Sequence, residues 1–213
     1  LSKANAYNIE IGIQSINTKT LHAINRPFNK KRFKRGIRLL NKYGLYYEIQ
    51  LIDALPYQSY DDFMYALDWL YSLRPAKVVV FRLAMLPGSS LRQDAGRYGI
   101  VHDMRAPYLA AKSNAMSELE VQKIEKLCYA MDRLYDSQVF QKTLYAFKAR
   151  TRIKLSEIME DWVAWEGRFK RRPVDYPEFL NRKSPVFLEY LCRKHGAMHL
   201  YHKLLPGLLK KLA

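Results

Sequence analysis

Strict alternation along Asn8-Ile9-Glu10-Ile11-Gly12-Ile13-Gln14-Ser15 is the feature that most narrows what this chain can become. Successive side chains of a strand point to opposite sides, so Ile9, Ile11 and Ile13 share one face and Glu10, Gly12 and Gln14 the other. The isoleucine face has to be buried. The opposite face offers a carboxylate, a gap and a carboxamide, a lining that suits a polar ligand better than a plain core. A short helical turn follows over residues 17–27 and carries Arg26.

The first hundred residues repeat a pattern. Residues 29–43 place Phe33, Ile37, Leu40 and Tyr43 at helical spacing, which predicts a buried stripe. Gly44 closes that helix as a C-terminal cap would. Residues 46–52 alternate again, with Tyr47, Ile49 and Leu51 on one face and Glu48, Gln50 and Ile52 on the other. A turn over residues 53–58 leads to Ser59, which with Asp62 reads as a helix start. That helix runs to about Leu73 with Phe63, Leu67, Leu70 and Leu73 inward, and Pro75 stops it. Residues 77–84 hold the apolar run Val78-Val79-Val80-Phe81, a third strand. The turn Leu86-Pro87-Gly88-Ser89 opens a further helix over 90–98.

Strand, helix, strand, helix, strand, helix implies right-handed crossovers and a parallel sheet. Ligands of such sheets sit at the carboxyl ends of the strands. Gln14 lies at one such end, and Asp53 and Leu86 mark the other two. Residues 100–113 read as irregular. Beyond Ser117 the sequence reads helical, over 118–135, 139–148, 155–169, 185–194 and 199–212, punctuated by Pro173, Pro177 and Pro185. The expected division is therefore 1–115 for the α/β part and 116–213 for a helical region.

The chain has 213 residues, a formal net charge of +16 and 49% hydrophobic residues. Its core is large enough for a domain with an appendage. A charge of this sign points to a polyanionic partner such as nucleic acid, or to an acidic partner domain. Lys30, Lys31, Lys34, Arg35, Arg38 and Lys42 crowd one helix, readable as a solvated face or as a phosphate-binding surface. The sixteen tyrosines and three tryptophans could stack on bases or pack a core.

Two cysteines, Cys128 and Cys192, exclude a disulfide framework and favour a reducing, cytoplasmic setting. Both sit among apolar helix positions and read as core residues. No run of about 20 apolar residues and no secretory leader is visible. His195, His199 and His202 have the spacing of one helix face but show no carboxylate partner nearby, which argues against a metal site. The first residue is Leu rather than Met, so the chain is expected to begin inside a longer protein.

Four blocks, taken in order, carry a family resemblance. Glu10-Ile11-Gly12-Ile13-Gln14-Ser15-Ile16-Asn17, then Leu21 and Ile24-Asn25-Arg26, closely resembles the fourth strand and following helix of radical S-adenosylmethionine (SAM) enzymes. Gln50-Leu51-Ile52-Asp53-Ala54-Leu55-Pro56 with Ser59-Tyr60-Asp61-Asp62-Phe63 resembles the fifth strand and helix. Phe81 through Leu91 resembles the sixth strand and its exit. Ser113-Asn114-Ala115-Met116-Ser117 is similar to a segment seen in members with an upstream cobalamin-binding domain, and the helical tail is similar to the C-terminal region of one branch of that group.

The resemblance implies an α/β fold, the C-terminal half of a partial (β/α)6 TIM-like barrel with a helical C-terminal extension. It implies an enzyme that, when whole, reductively cleaves SAM at a [4Fe–4S] cluster to start radical chemistry, with methyl transfer in cobalamin-dependent members. Gln14 would hydrogen-bond the SAM ribose, Arg26 would pair with the methionine carboxylate, Gln50 would contact the ribose, and Phe81 and Leu83 would flank the adenine. Relatives usually carry Gly where this chain has Ala54. The CxxxCxxC loop that holds three cluster irons is absent, so the cluster ligands would lie in a missing N-terminal half, with any cobalamin domain before it. A decayed, non-catalytic relative is the other explanation of that absence. No catalytic residue and no substrate can be named from these residues. A basic RNA-binding module, working through residues 29–43 and the tail, is the alternative from another functional class.

Overall fold

The computed structural model describes residues 8–168 and 183–212. It divides between Glu125 and Lys126 into two compact units. The first is built on a three-stranded parallel sheet in the order β1 (Ile9–Gln14), β2 (Tyr47–Asp53), β3 (Lys77–Arg82). Parallel neighbours need long connections, and here α1 (Thr18–Ala23) with α2 (Lys30–Lys42) joins β1 to β2, while α3 (Tyr60–Ser72) joins β2 to β3. The protein is thus mixed α/β, and among the described residues the sheet does not close on itself.

Register places the two faces of β2 as the alternation predicts, whereas on β1 Ile13 is buried and Ile9 and Ile11 are half-buried. Ile11 pairs with Ile49 and Ile49 with Val78, giving an apolar row. Tyr47, Ile49 and Leu51 are all but fully buried. On the other face Glu10 pairs with Glu48, Gly12 with Gln50, and Ile52 with Phe81. Glu10 and Phe81 on that face are exposed, and Glu48, Gln50, Ile52 and Val79 are half-buried. One face therefore packs a core and the other stays open.

The helices begin where their capping residues allow. Asn17 Oδ1 accepts from Thr20 N at 3.1 Å and Asn29 Oδ1 from Arg32 N at 2.9 Å. Ser59 and Asp62 form a reciprocal capping box. Phe63, Ala66, Leu67, Leu70 and Tyr71 of α3 are buried, and Leu73 is half-buried. Gly44, at φ +62°, follows the end of α2 in the left-handed conformation that a side chain resists.

Several expected elements differ in extent. The predicted helix over 90–98 ends after Gln93 as α4 (Ser90–Gln93), with Asp94 as its cap and Gly99 at φ +56°. The segment read as irregular holds a small antiparallel pair, β4 (Val101–His102) with β5 (Ala110–Lys112). These strands are too short for alternation to register. Asp53 ends β2 rather than opening a turn. Tyr43 is 62% exposed, because α2 ends before its stripe reaches the core, and Ile37 is the residue of α2 that is buried.

The second unit is helical. The predicted 118–135 helix is regular in α5 (Glu118–Met131) and widens over Asp132–Asp136. Then come α6 (Gln141–Thr151), α7 (Leu155–Glu166), and the helices Ser184–Lys194 and Met198–Leu212. Arg152, at φ +64°, terminates α6. The expected end of the 155–169 helix at Phe169, and Pro173 and Pro177, lie outside the described residues. Cys192 is buried as expected, whereas Cys128 is half-buried. No helix among the described residues is long and apolar enough to cross a membrane.

Candidate functional site

The carboxyl end of β1 is irregular in a way that alternation alone cannot foretell. The pairing register shifts between Gly12 and Gln14, and Gln14 has φ +60°, uncommon for a residue with a side chain. Ser15 N donates to Ile13 O at 2.7 Å and tightens the exit. The chain then enters α1, turns at Asn25 (φ +51°), and Arg26 N donates back to Leu21 O at 2.8 Å. That reversal returns Arg26 to the strand it left.

Gln14 and Arg26 meet over Gly12. Arg26 Nη2 donates to Gly12 O at 2.6 Å. A Cβ on Gly12 would lie 2.6 Å from Gln14 Nε2 and 3.6 Å from Arg26 Nη2. The glycine is therefore what lets the amide fold down beside the guanidinium. Gln14 Oε1 is buried and accepts no hydrogen bond from the described residues. A buried amide oxygen without a donor costs about 1–3 kcal/mol, so a donor is wanted there.

Gln50 sits beside this pair in the sheet. Its Nε2 donates to Glu48 Oε1 at 2.9 Å and to Glu10 Oε2 at 3.1 Å. Two carboxylates thus hold the amide, which leaves its oxygen as the acceptor it can present. Phe81 is 49% exposed on the same face, while Leu83, past the end of β3, is 5% exposed. Leu83 O accepts from Ala110 N at 2.8 Å. Of the five predicted residues, Gln14 and Arg26 are brought into one cradle. Gln50 and Phe81 stand on the open face, and Leu83 is packed away.

A cleft of about 600 Å³ is lined by Ile16, Leu21, His22, Asn25, Arg26 and Phe28, among others. Arg26 is the one predicted site residue among its lining.

Asp53 was missed as a site residue, although its parity with Tyr47, Ile49 and Leu51 marks it for burial. It is 2% exposed at the carboxyl end of β2. Arg82 Nε donates to Asp53 Oδ2 at 2.9 Å, and Arg82 also reaches Glu125 at 3.4 Å. Burial pushes the Asp53 carboxyl up to about 6, against the opposing pull of the Arg82 guanidinium. Here desolvation outweighs the ion pair.

Of the three tail histidines that show no carboxylate nearby in the sequence, one meets a carboxylate in the fold. His195 does have a carboxylate partner, because Asp161 Oδ2 lies 2.6 Å from its Nε2, and Lys194 pairs with the other oxygen of Asp161. The partner stands 34 positions earlier on α7, beyond any local reading. Among the described residues no three His, Cys, Asp or Glu side chains are grouped to hold a metal ion.

No protein-family model matches this chain, and no curated protein matches it. Among solved structures the chain is similar to an archaeal Methanocaldococcus infernus Elp3 with an N-terminal deletion (1–46). The TM-score is 0.41 at 21% identity, and the match covers 45% of this chain and 23% of that one. The chain therefore spans less than a quarter of that structure's length, and a likeness of this depth decides neither fold family nor activity.

Proposed function

We propose that this chain is part of a radical SAM enzyme and supplies one wall of its SAM site. The observation that carries the reading is the convergence of the Gln14 amide and the Arg26 guanidinium over Gly12, at the carboxyl end of a strand in a parallel sheet. The radical SAM resemblance of the sequence assigns those two residues to the two ends of one cofactor.

The residues suit SAM. A ribose hydroxyl can donate to the orphaned Gln14 Oε1. Arg26 can turn from a backbone carbonyl to a methionine carboxylate, the stronger acceptor for a guanidinium. Gln50, held by Glu10 and Glu48, offers its oxygen to a second hydroxyl, and the exposed Phe81 ring offers a flat apolar surface to the adenine. Leu83 would act from below, through packing. When bound, SAM supplies a carbon radical precursor, while these side chains orient it and keep its carboxylate neutralised.

The residues do not suit a [4Fe–4S] cluster. Cluster ligation takes three thiolates in this family pattern, and this chain has two cysteines. Burial pushes the Cys192 thiol up to about 11, which disfavours the thiolate further. In this reading the cluster loop, and any cobalamin domain, belong to a region outside the chain. The substrate is set there or by attached loops. In this reading residues 1–115 are the barrel part and residues 116–213 the helical region.

Two tests follow. Anaerobic reconstitution of this chain alone with iron and sulfide is expected to leave no broad visible iron–sulfur absorption, because thiolate-to-iron charge transfer requires the thiolate ligands. A stable cluster band from this chain would overturn the assignment of its ligands elsewhere. The coding sequence preceding Leu1 is expected to hold a CxxxCxxC loop. In the protein that carries that loop, Arg26→Ala should weaken SAM binding by about 1.5–3 kcal/mol, roughly 10- to 150-fold. Equilibrium dialysis with labelled SAM measures this, and an unchanged affinity would refute the role.

A further inference from the structure

The helix α2 carries Lys30, Lys31, Arg32, Lys34, Arg35, Arg38 and Lys42 and no acidic side chain. Helical spacing puts Lys31, Arg35, Arg38 and Lys42 in one row about 17 Å long, at 1.5 Å per residue. Lys31, Arg35 and Arg38 are exposed. Like charges four apart, as at Lys31 with Arg35 and Arg38 with Lys42, oppose the helix they stand on. A solvated face gains nothing from that arrangement. A polyanion laid along the row removes the repulsion and releases its own counterions.

Aromatic rings stand beside the charges. Phe28, Phe33 and Trp69 form a cluster with centroids 5.3–6.1 Å apart. Lys30 and Lys34 lie 5.7 and 5.8 Å from the Trp69 ring, and Lys30 is 5.5 Å from Tyr65, which is 61% exposed. A cleft of about 500 Å³ is lined by Pro27, Phe28, Asn29, Arg32 and Phe33. Phe28 and Phe33, whose rings pack against each other, share its lining with Arg32.

We infer that α2 and the neighbouring rings bind single-stranded nucleic acid. The basic row follows the phosphates, and the Phe28–Phe33 cleft takes a base by stacking, with Arg32 at its mouth. An acidic protein segment would use the charges and leave the ring-walled cleft without a flat partner. Base stacking plus a phosphate row accounts for both features. This inference does not rest on the SAM site, and it fails or holds independently of it.

The test uses the full chain and fluorescence anisotropy with a labelled single-stranded 12-nucleotide RNA and the matching DNA, across 50–200 mM KCl. Affinity is expected to fall linearly on a log–log plot. Removing three phosphate contacts with Lys31→Ala, Arg35→Ala and Arg38→Ala together should weaken binding at least ~10-fold at 100 mM and flatten the slope by about 2, at about 0.7 per phosphate. Phe28→Leu should weaken binding about fivefold or more with the slope unchanged, since it removes stacking and no charge. The charge-matched triple Lys112→Ala, Lys126→Ala and Lys154→Ala, all exposed residues outside the α2 sequence, should change affinity less than about threefold. Equal losses in the two triples, an unchanged affinity in the first, or binding only to poly-glutamate or to anionic phospholipid vesicles would overturn the inference. Crosslinks from 4-thiouridine RNA should map to residues 28–42 and to Tyr65 or Trp69, and crosslinks confined elsewhere would overturn it as well. Tighter binding of RNA than of DNA assigns the strand as RNA, and equal binding assigns recognition to the phosphates and bases the two share.

Discussion

Replacing Trp162 with alanine is expected to destabilise the helical unit by about 3–5 kcal/mol. Trp162 lies on α7 and is fully buried. Its ring packs 4.9 Å from Trp165 and 4.7 Å, edge-on, from Phe187, centroid to centroid. Phe187 in turn lies 6.0 Å from Phe140, so one ring ties α7 to the Ser184–Lys194 helix and to the residue that opens α6. Alanine would remove most of that buried area and leave a void the surrounding rings can only partly fill. Urea unfolding followed by far-ultraviolet circular dichroism measures the change. Trp162→Phe, which keeps a ring, should cost clearly less, and a loss under about 1 kcal/mol for the alanine variant would show that the cluster is not what holds this unit.

A loss of about 1–2 kcal/mol at pH 7, growing by about 1.4 kcal/mol per pH unit above it, is expected for Arg82→Ala. Its guanidinium is the partner of the buried Asp53 carboxylate, and removing it leaves burial largely unopposed, so the carboxyl holds its proton to still higher pH. The size of the effect depends on pH. Asp53 is pushed up to about 6 from its ordinary 3.8, so the native state holds that proton to higher pH than the unfolded chain does. Stability linked to the protonated carboxyl is complete below about pH 4 and is lost as pH rises through 6. Over that window Asp53 contributes a decline of about 3 kcal/mol. Arg82→Ala should accordingly be most damaging above pH 6 and milder near pH 5. Asp53→Asn should remove the decline, seen as the difference between wild-type and variant unfolding free energies from pH 4.5 to 8. In the Arg82→Ala background, Asp53→Asn should recover much of the loss, because no charge then needs a partner. A difference curve that is flat with pH would mean that Asp53 is ionised throughout, with the ion pair outweighing burial.

The α/β half of this chain could be read from its residues because each strand is half-exposed. Ile9, Ile11 and Ile13, and then Tyr47, Ile49 and Leu51, alternate with polar groups, and alternation survives only where one face is buried and the other open. Ser59 with Asp62 and Gly44 marked helix ends through local hydrogen bonds and a local backbone conformation, which neighbouring residues alone can specify. The strands at Val101–His102 and Ala110–Lys112 had no such pattern, being shorter than one full alternation.

What the sequence by itself determined is therefore the parallel β/α order, the buried and open faces, and the residue types offered at the strand ends. The tertiary structure decided which of those residues meet. Gln14 and Arg26 are twelve positions apart, and only the register shift after Gly12 and the reversal at Asn25 set both against one glycine. Arg82 finds Asp53 29 positions away, and Asp161 finds His195 34 positions on. Burial, helix caps and alternation are short-range consequences of chain geometry. A hydrogen bond between distant side chains depends on how whole elements dock, and no local window of the chain encodes that.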